Sequence, residues 1–297
     1  MLPLLRAVDA LEAALPADLD AESAAAAHYE VFGRTIFACE DVFLDPMAQR
    51  GGRAAERLAA THTRIGFTPP TSLEADELAC ELAALSHLCA AEADAWQDGY
   101  AGAAHQARAL QTAFLHDHLL RWLPPLCEAL GRQPQPLYAA LAVLLWEMVS
   151  DHAAELGALL PSPAAAAPPS APDPGAVNTS LAELASWLLA PASAGFLLTR
   201  TDLQAAAEEM TLPTGFVDRR TLLTDLLRAA GAHDALAALL DILVVRAAEA
   251  SACYAELAAE RAPLADWVRP WAAHTATTQA LLAAMHAEIQ RDPNTEG

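Results

Sequence analysis

Four carboxylates stand close together in PPTSLEADELACELAALSHL, residues 69–88: Glu74, Asp76, Glu77 and Glu81, with no Lys or Arg among them. Two prolines and a Thr-Ser pair announce a helix start. The segment is either a solvated helix entrance or an acidic surface shaped for something positively charged. The chemistry it could offer is the charge-assisted hydrogen bond from a guanidinium to a carboxylate. The histidines offer less. None has a Glu three residues before it, so the Glu-x-x-His pairs of di-iron bundles are missing. His116 and His118 form an H-x-H pair, but on a helix their side chains diverge by about 200° and share a metal poorly. H-E-x-x-H, G-x-S-x-G, G-x-G-x-x-G and D-D-x-x-D are absent too. The expectation is a protein that binds, with no catalytic residue, no metal and no cofactor.

Composition narrows the partners. The chain of 297 residues has 38 acidic and 17 basic side chains, a formal net charge of −21. Every basic one is arginine, which excludes a lysine Schiff base and the lysine of a phosphate-binding P-loop. So acidic a surface repels nucleic acid and anionic lipid and suits a basic partner. Cys39, Cys80, Cys89, Cys127 and Cys253 are odd in number and form no C-x-x-C pair, so they read as buried thiols of a reducing compartment. No signal peptide and no apolar run of about 18–20 residues is present. The expected location is the cytoplasm, without membrane insertion.

The elements that must position these residues are helices. Apolar residues recur at helical spacing almost throughout, as in Leu78, Leu82, Leu85 and Cys89, or Leu222, Leu223, Leu226 and Leu227, and no alternating strand pattern stands out. Thr71 with Glu74, Ser180 with Glu183, and Thr201 with Gln204 each fit the capping box, in which two side chains satisfy each other's backbone N–H. The six prolines of PSPAAAAPPSAPDPGAVN forbid a helix there. The expected organisation is a helical domain over 1–160, a Pro/Ala-rich linker over 161–178, and a C-terminal helical region over 179–297 of unknown role.

Three segments, in order, carry a resemblance. The first is YEVFGRTIFACEDVFLDPMAQRGG, residues 29–52, with Asp41-Val42-Phe43-Leu44-Asp45 and then Gly51-Gly52. The second is Glu74-Ala75-Asp76-Glu77-Leu78-Ala79-Cys80-Glu81. The third is FLHDHLLRWLPPLCEALGRQPQPLYAAL, residues 114–141, with His118-Leu119-Leu120-x-Trp122 and then Leu137-Tyr138-x-Ala140-Leu141. Together, over roughly residues 29–152, they resemble the TorD/DmsD family of cytoplasmic chaperones that mature molybdenum-containing oxidoreductases. Glu77 stands where that family has histidine, and the part before residue 29 is shorter than its usual N-terminal helices.

The resemblance implies an all-α, TorD-like helical bundle. It implies a partner too: the twin-arginine signal peptide of an apo-molybdoenzyme, the apo form itself, or both. The residues expected to contact that client are Glu74, Asp76, Glu77, Glu81, His118, Trp122, Tyr29 and Phe43. Tyr29, Phe32 and Phe43 would line an apolar groove for the peptide's hydrophobic segment. The same residues also have a plain reading as cap, dipole partner and helix packing. Two other functions stay open, a helical scaffold without signal-peptide recognition and a helical enzyme using Asp117 or His118. Monomer and homodimer are both open as well.

Overall fold

A computed structural model describes residues 8–16, 19–157, 169–215 and 217–291. The fold is all-α: among the described residues there is no strand, only an isolated antiparallel bridge between Cys39 and Glu77. The chain forms two compact units, one drawn from Met1–Asp45, Gln49–Ala164 and Arg261–Trp267, the other from Pro46–Ala48, Ala165–Glu260 and Val268–Gly297. The expected linker lies partly outside the described residues, at 161–168, and residues 169–178 are irregular.

In the first unit the helices are α1 (Asp9–Ala14), α2 (Ala21–His28), α3 (Glu40–Leu44), α4 (Arg53–Ile65), α5 (Leu78–Gln97), α6 (Ala101–Phe114), α7 (Leu120–Gly131) and α8 (Pro136–Leu156). Helix α2 runs into a π-helical stretch, Tyr29–Thr35, and Leu115–Leu119 forms another between α6 and α7. The core is built where α7 is buried on nearly every side, which is why its sequence, LRWLPPLCEALG, is apolar almost all round. Pro124 and Pro125 sit inside α7, both buried, and the helix passes through them. Trp122, Phe43, Phe114 and Trp146 fill this core, with the Phe43 and Trp122 ring centroids 5.4 Å apart. Rings of this size each remove about 150–250 Å² from water, so they dominate the burial.

Three local expectations change. The box of Thr71 with Glu74 does not form: α5 begins at Leu78, with Glu77 as its N-cap residue and no side-chain cap. Tertiary pairing overrides the local signal. The Glu40 N–H donates to the Asp76 carbonyl and the Leu78 N–H to the Ala38 carbonyl, each at 2.9 Å, and this holds residues 76–77 extended. The stripe Leu78, Leu82, Leu85 and Cys89 is not the buried face of α5. That face runs through Glu81, Ala84, Leu85 and Leu88, while Leu78, Leu82 and Cys89 are half-buried. Of the five cysteines, Cys39, Cys80 and Cys127 are buried, Cys89 and Cys253 only partly.

The second unit contains α9 (Leu181–Leu189), α10 (Pro191–Ala194), α11 (Arg200–Glu209), α12 (Arg219–Ala232), α13 (Leu236–Glu260) and most of α14 (Ala265–Arg291). Ser180 caps α9 by accepting the Glu183 N–H, as its sequence promised in part. The box expected at Thr201 and Gln204 forms two residues earlier, between Thr199 and Asp202, because the buried run Phe196–Leu198 fixes where the chain turns into α11. Leu222, Leu223, Leu226 and Leu227 are all buried.

Candidate functional site

The first unit carries a groove of about 500 Å³ between the π-helical stretch after α2, the segment Phe37–Cys39 and the start of α5. Tyr29 and Phe32 form one wall and Leu78 and Leu82 the other, with Phe37 beside Cys39 and Arg50 at the mouth. Tyr29 is 63% exposed. Its ring lies across Gly33, where an added Cβ would sit 2.5 Å from the ring, so only glycine permits this approach. Phe32 is backed edge-on by buried Tyr138, ring centroids 5.6 Å apart. The wall is thus set by the widened backbone of Tyr29–Thr35, which displaces successive side chains from ordinary helical positions.

Carboxylates gather at the mouth. The Arg50 guanidinium donates to Glu74 Oε1 at 2.6 Å, lies 3.8 Å from Glu77 Oε1, and sits 5.3 Å from the centroid of the Phe37 ring. Glu77 itself lines the groove. Beneath Glu74, the Cys39 thiol and the Asp76 carboxylate each offer an atom, and the three atoms lie within 4.8 Å of one another. These three side chains could hold a metal ion, a grouping that the sequence expectation of no ligand set did not foresee. Burial, reinforced by the Asp76 charge, pushes the Cys39 thiol up to about 12, so in this arrangement it holds its proton.

The structure divides the eight residues expected to contact a client. Tyr29 and Glu77 line the groove, and Glu74 stands at its mouth. Asp76, Glu81, His118, Trp122 and Phe43 are buried, each at 3% exposure or less, and none presents a surface to a partner in this conformation. Phe43 packs on Trp122 and does not line the groove with Tyr29 and Phe32.

The buried set has its own logic. Asp76 Oδ2 accepts the Asp41 N–H at 3.1 Å and so caps α3 from outside the helix. The Asp41 carboxylate in turn accepts the N–H groups of Gly52, Ala54 and Ala55 at 2.6, 2.8 and 3.1 Å, satisfying the open donors at the start of α4. Gly51, at φ +73°, makes the turn that brings them there. The Asp-Val-Phe-Leu-Asp and Gly-Gly pattern is therefore a capping relay. Deeper in, Glu40 Oε2 takes the His118 Nδ1–H at 2.9 Å while Arg57 reaches Glu40 Oε1 at 3.0 Å, and the Thr61 hydroxyl meets His118 Nε2 at 3.2 Å. Glu81 accepts from the Trp122 indole at 3.5 Å.

The chemistry of these groups follows from their burial. Desolvation pushes Asp76 up to about 6, against the pull of the Asp41 N–H. Glu81 is raised as well, by complete burial, with the charge of Glu40 adding to it. Asp76 Oδ1 and Glu81 Oε1 have no hydrogen-bond partner among the described residues, as a carboxylic acid with a single partner would leave them. His116 and His118 face apart, His116 beside Asp117 Oδ1 at 2.8 Å and His118 with both ring nitrogens engaged inside. Asp117 is exposed, so it and His118 share no buried acid–base site.

Sequence reasoning missed Phe37, Leu78, Leu82, Cys39 and Arg50 as groove residues. The two leucines had a signal, since they share a stripe, but that stripe was read only as a sign of a helix. Arg50 had none beyond standing just before a glycine pair.

The first unit thus presents an apolar groove with an acidic mouth on a scaffold of capped helices. Residues 3–128, about two fifths of the chain, match the family model described as nitrate reductase delta subunit. The match begins at residue 3 and so includes the segment before residue 29. That family consists of chaperones for molybdoenzyme maturation, not of catalytic enzymes. No curated protein matches the chain. No solved structure matches it.

Proposed function

We propose that the protein is a cytoplasmic chaperone that receives the twin-arginine signal peptide of a molybdenum-cofactor oxidoreductase and shields its apo form until maturation is complete. The peptide's apolar segment lies along Tyr29, Phe32, Leu78 and Leu82, and its arginines meet Glu74 and Glu77. One observation carries this reading: the mouth of the apolar groove already grips a guanidinium, that of Arg50, between carboxylates and an aromatic ring. A site that recognises one arginine by charge, hydrogen bond and ring face has the chemistry to recognise another. The formal charge of −21 speeds encounter with a basic peptide.

In this reading Asp76, Glu81, His118, Trp122 and Phe43 hold the groove in shape from below. The second unit, with α9 to α13 and most of α14, is a helical region of unknown role. Among the described residues no helix is long and apolar enough to cross a membrane. Calorimetric titration with a twin-arginine peptide and a scrambled peptide of equal charge tests the proposal. Equal affinity for the two would favour the scaffold reading. A pull-down from native cytoplasm would then identify the client.

A further inference from the structure

We infer that Arg50 is an internal stand-in for a client arginine, so that the free protein keeps its own groove mouth occupied until an incoming arginine displaces it. The inference rests on the proposed client reading and names how that site is regulated.

The geometry has three parts. Arg50 makes every kind of contact expected of a bound arginine: a 2.6 Å hydrogen bond to Glu74, a 3.8 Å approach to Glu77, and a position over the Phe37 ring. It is the one arginine among the described residues that line the groove. Two residues on, the Gly52 N–H is fixed by Asp41, which anchors the start of α4 whatever the Arg50 side chain does. The side chain can therefore leave without unfolding anything.

The contact is also weak enough to exchange. The Arg50 and Glu74 side chains are 42% and 46% exposed, and ion pairs this open to water hold a side chain by roughly fivefold at most. Glu77 is too distant for a hydrogen bond to Arg50, so one carboxylate remains available while the other is occupied. Two carboxylates facing one guanidinium leave an unbalanced negative charge, which draws a second cation before the first departs. A client with two adjacent arginines fits this order. One pairs with Glu77, and the other takes Glu74 from Arg50 by local competition. A client with a single arginine meets the same barrier with half the compensation.

The occupant lowers apparent affinity, because binding is reduced by the fraction of molecules whose mouth is closed. Arg50→Ala and Arg50→Gln should therefore bind a twin-arginine peptide with a leucine-rich segment roughly two- to fivefold more tightly than wild type. The gain should vanish when Glu74→Gln and Glu77→Gln are also present. A direct readout comes from the Arg50 side-chain Nε–H signal in 15N-labelled protein, titrated with the same peptide and, separately, with millimolar N-acetylargininamide. Equal or weaker peptide binding by both Arg50 variants overturns the inference, as does a bound peptide that leaves the Arg50 signal unmoved. If the peptide fails to bind while N-acetylargininamide shifts Arg50, the stand-in holds and the signal-peptide reading falls. If neither ligand moves it, the stand-in falls, and the signal-peptide reading falls with it only where calorimetry also shows no peptide binding.

Discussion

The Asp76 carboxylate accepts the backbone N–H of Asp41 at 3.1 Å, so the segment leading into one helix caps the start of another 35 residues earlier in the chain. Asp41 then does the same for α4. Asp76, which reads in the sequence as part of a surface for cations, and Asp41 are successive links in a relay that fixes α3, α4 and the entrance to α5. The groove mouth stands on this relay, because Cys39 and Glu74 flank Asp76.

Breaking the relay should destabilise the first unit. Asp41→Ala leaves three N–H groups at the start of α4 without their acceptor and should cost about 2–4 kcal/mol. Asp76→Ala removes a single capping bond and should cost about 1–2 kcal/mol. Urea unfolding followed by circular dichroism measures both. A loss for Asp41→Ala no larger than for Asp76→Ala would contradict the relay.

Stability should depend on pH through the buried acids. Asp76 is raised from 3.8 to about 6, and Glu81 is raised as well, so the folded state holds protons that the unfolded chain gives up. Their contribution is fully present below about pH 4 and is lost as pH rises through the folded values. For Asp76 alone the loss between about pH 4 and pH 7 should reach up to about 3 kcal/mol. Asp76→Asn keeps an acceptor for the Asp41 N–H but cannot ionise, and Glu81→Gln does likewise for the Trp122 indole. Unfolding midpoints measured across this range should fall less steeply for either variant than for wild type, and less steeply again for the pair. Parallel curves would sink the assignment.

Client contact should follow exposure. Tyr29→Ala should weaken peptide binding by about fivefold to tenfold while leaving the melting temperature nearly unchanged, because the ring is mostly exposed in the free protein. Glu74→Gln and Glu77→Gln should each weaken it by about two- to fivefold, and more at low salt than at moderate salt. Trp122→Ala should instead act on stability, by about 3–5 kcal/mol, since its ring is fully buried. The check is calorimetry beside thermal melts. Tyr29→Ala binding like wild type would remove the aromatic wall from the site.

Limited proteolysis should cut first within residues 161–178. The prolines withhold backbone donors, so the stretch cannot be protected inside a helix, and an unpaired chain is what a protease requires. Early cleavage elsewhere, with fragment masses read by mass spectrometry, would argue against a boundary there.

Residue order alone determined that the fold is helical, because helix formation is read from local spacing and propensity. Leu222, Leu223, Leu226 and Leu227 show it, buried just as their period requires. It also carried motifs that resemble those of the TorD/DmsD family, through residue types and their intervals. What it did not determine was which acid faces water. Glu74, Asp76, Glu77 and Glu81 are one run of carboxylates in the chain, yet Glu74 is open to solvent and Asp76 and Glu81 are closed to it. The difference arises from residues 38–41, which pair with the run from outside, and from Trp122, which closes over Glu81. For the same reason Leu78 and Leu82 became a groove wall, facing Tyr29 and Phe32 of the π-helical stretch across the groove. Burial depends on neighbours distant in sequence, and only the packed chain brings them together.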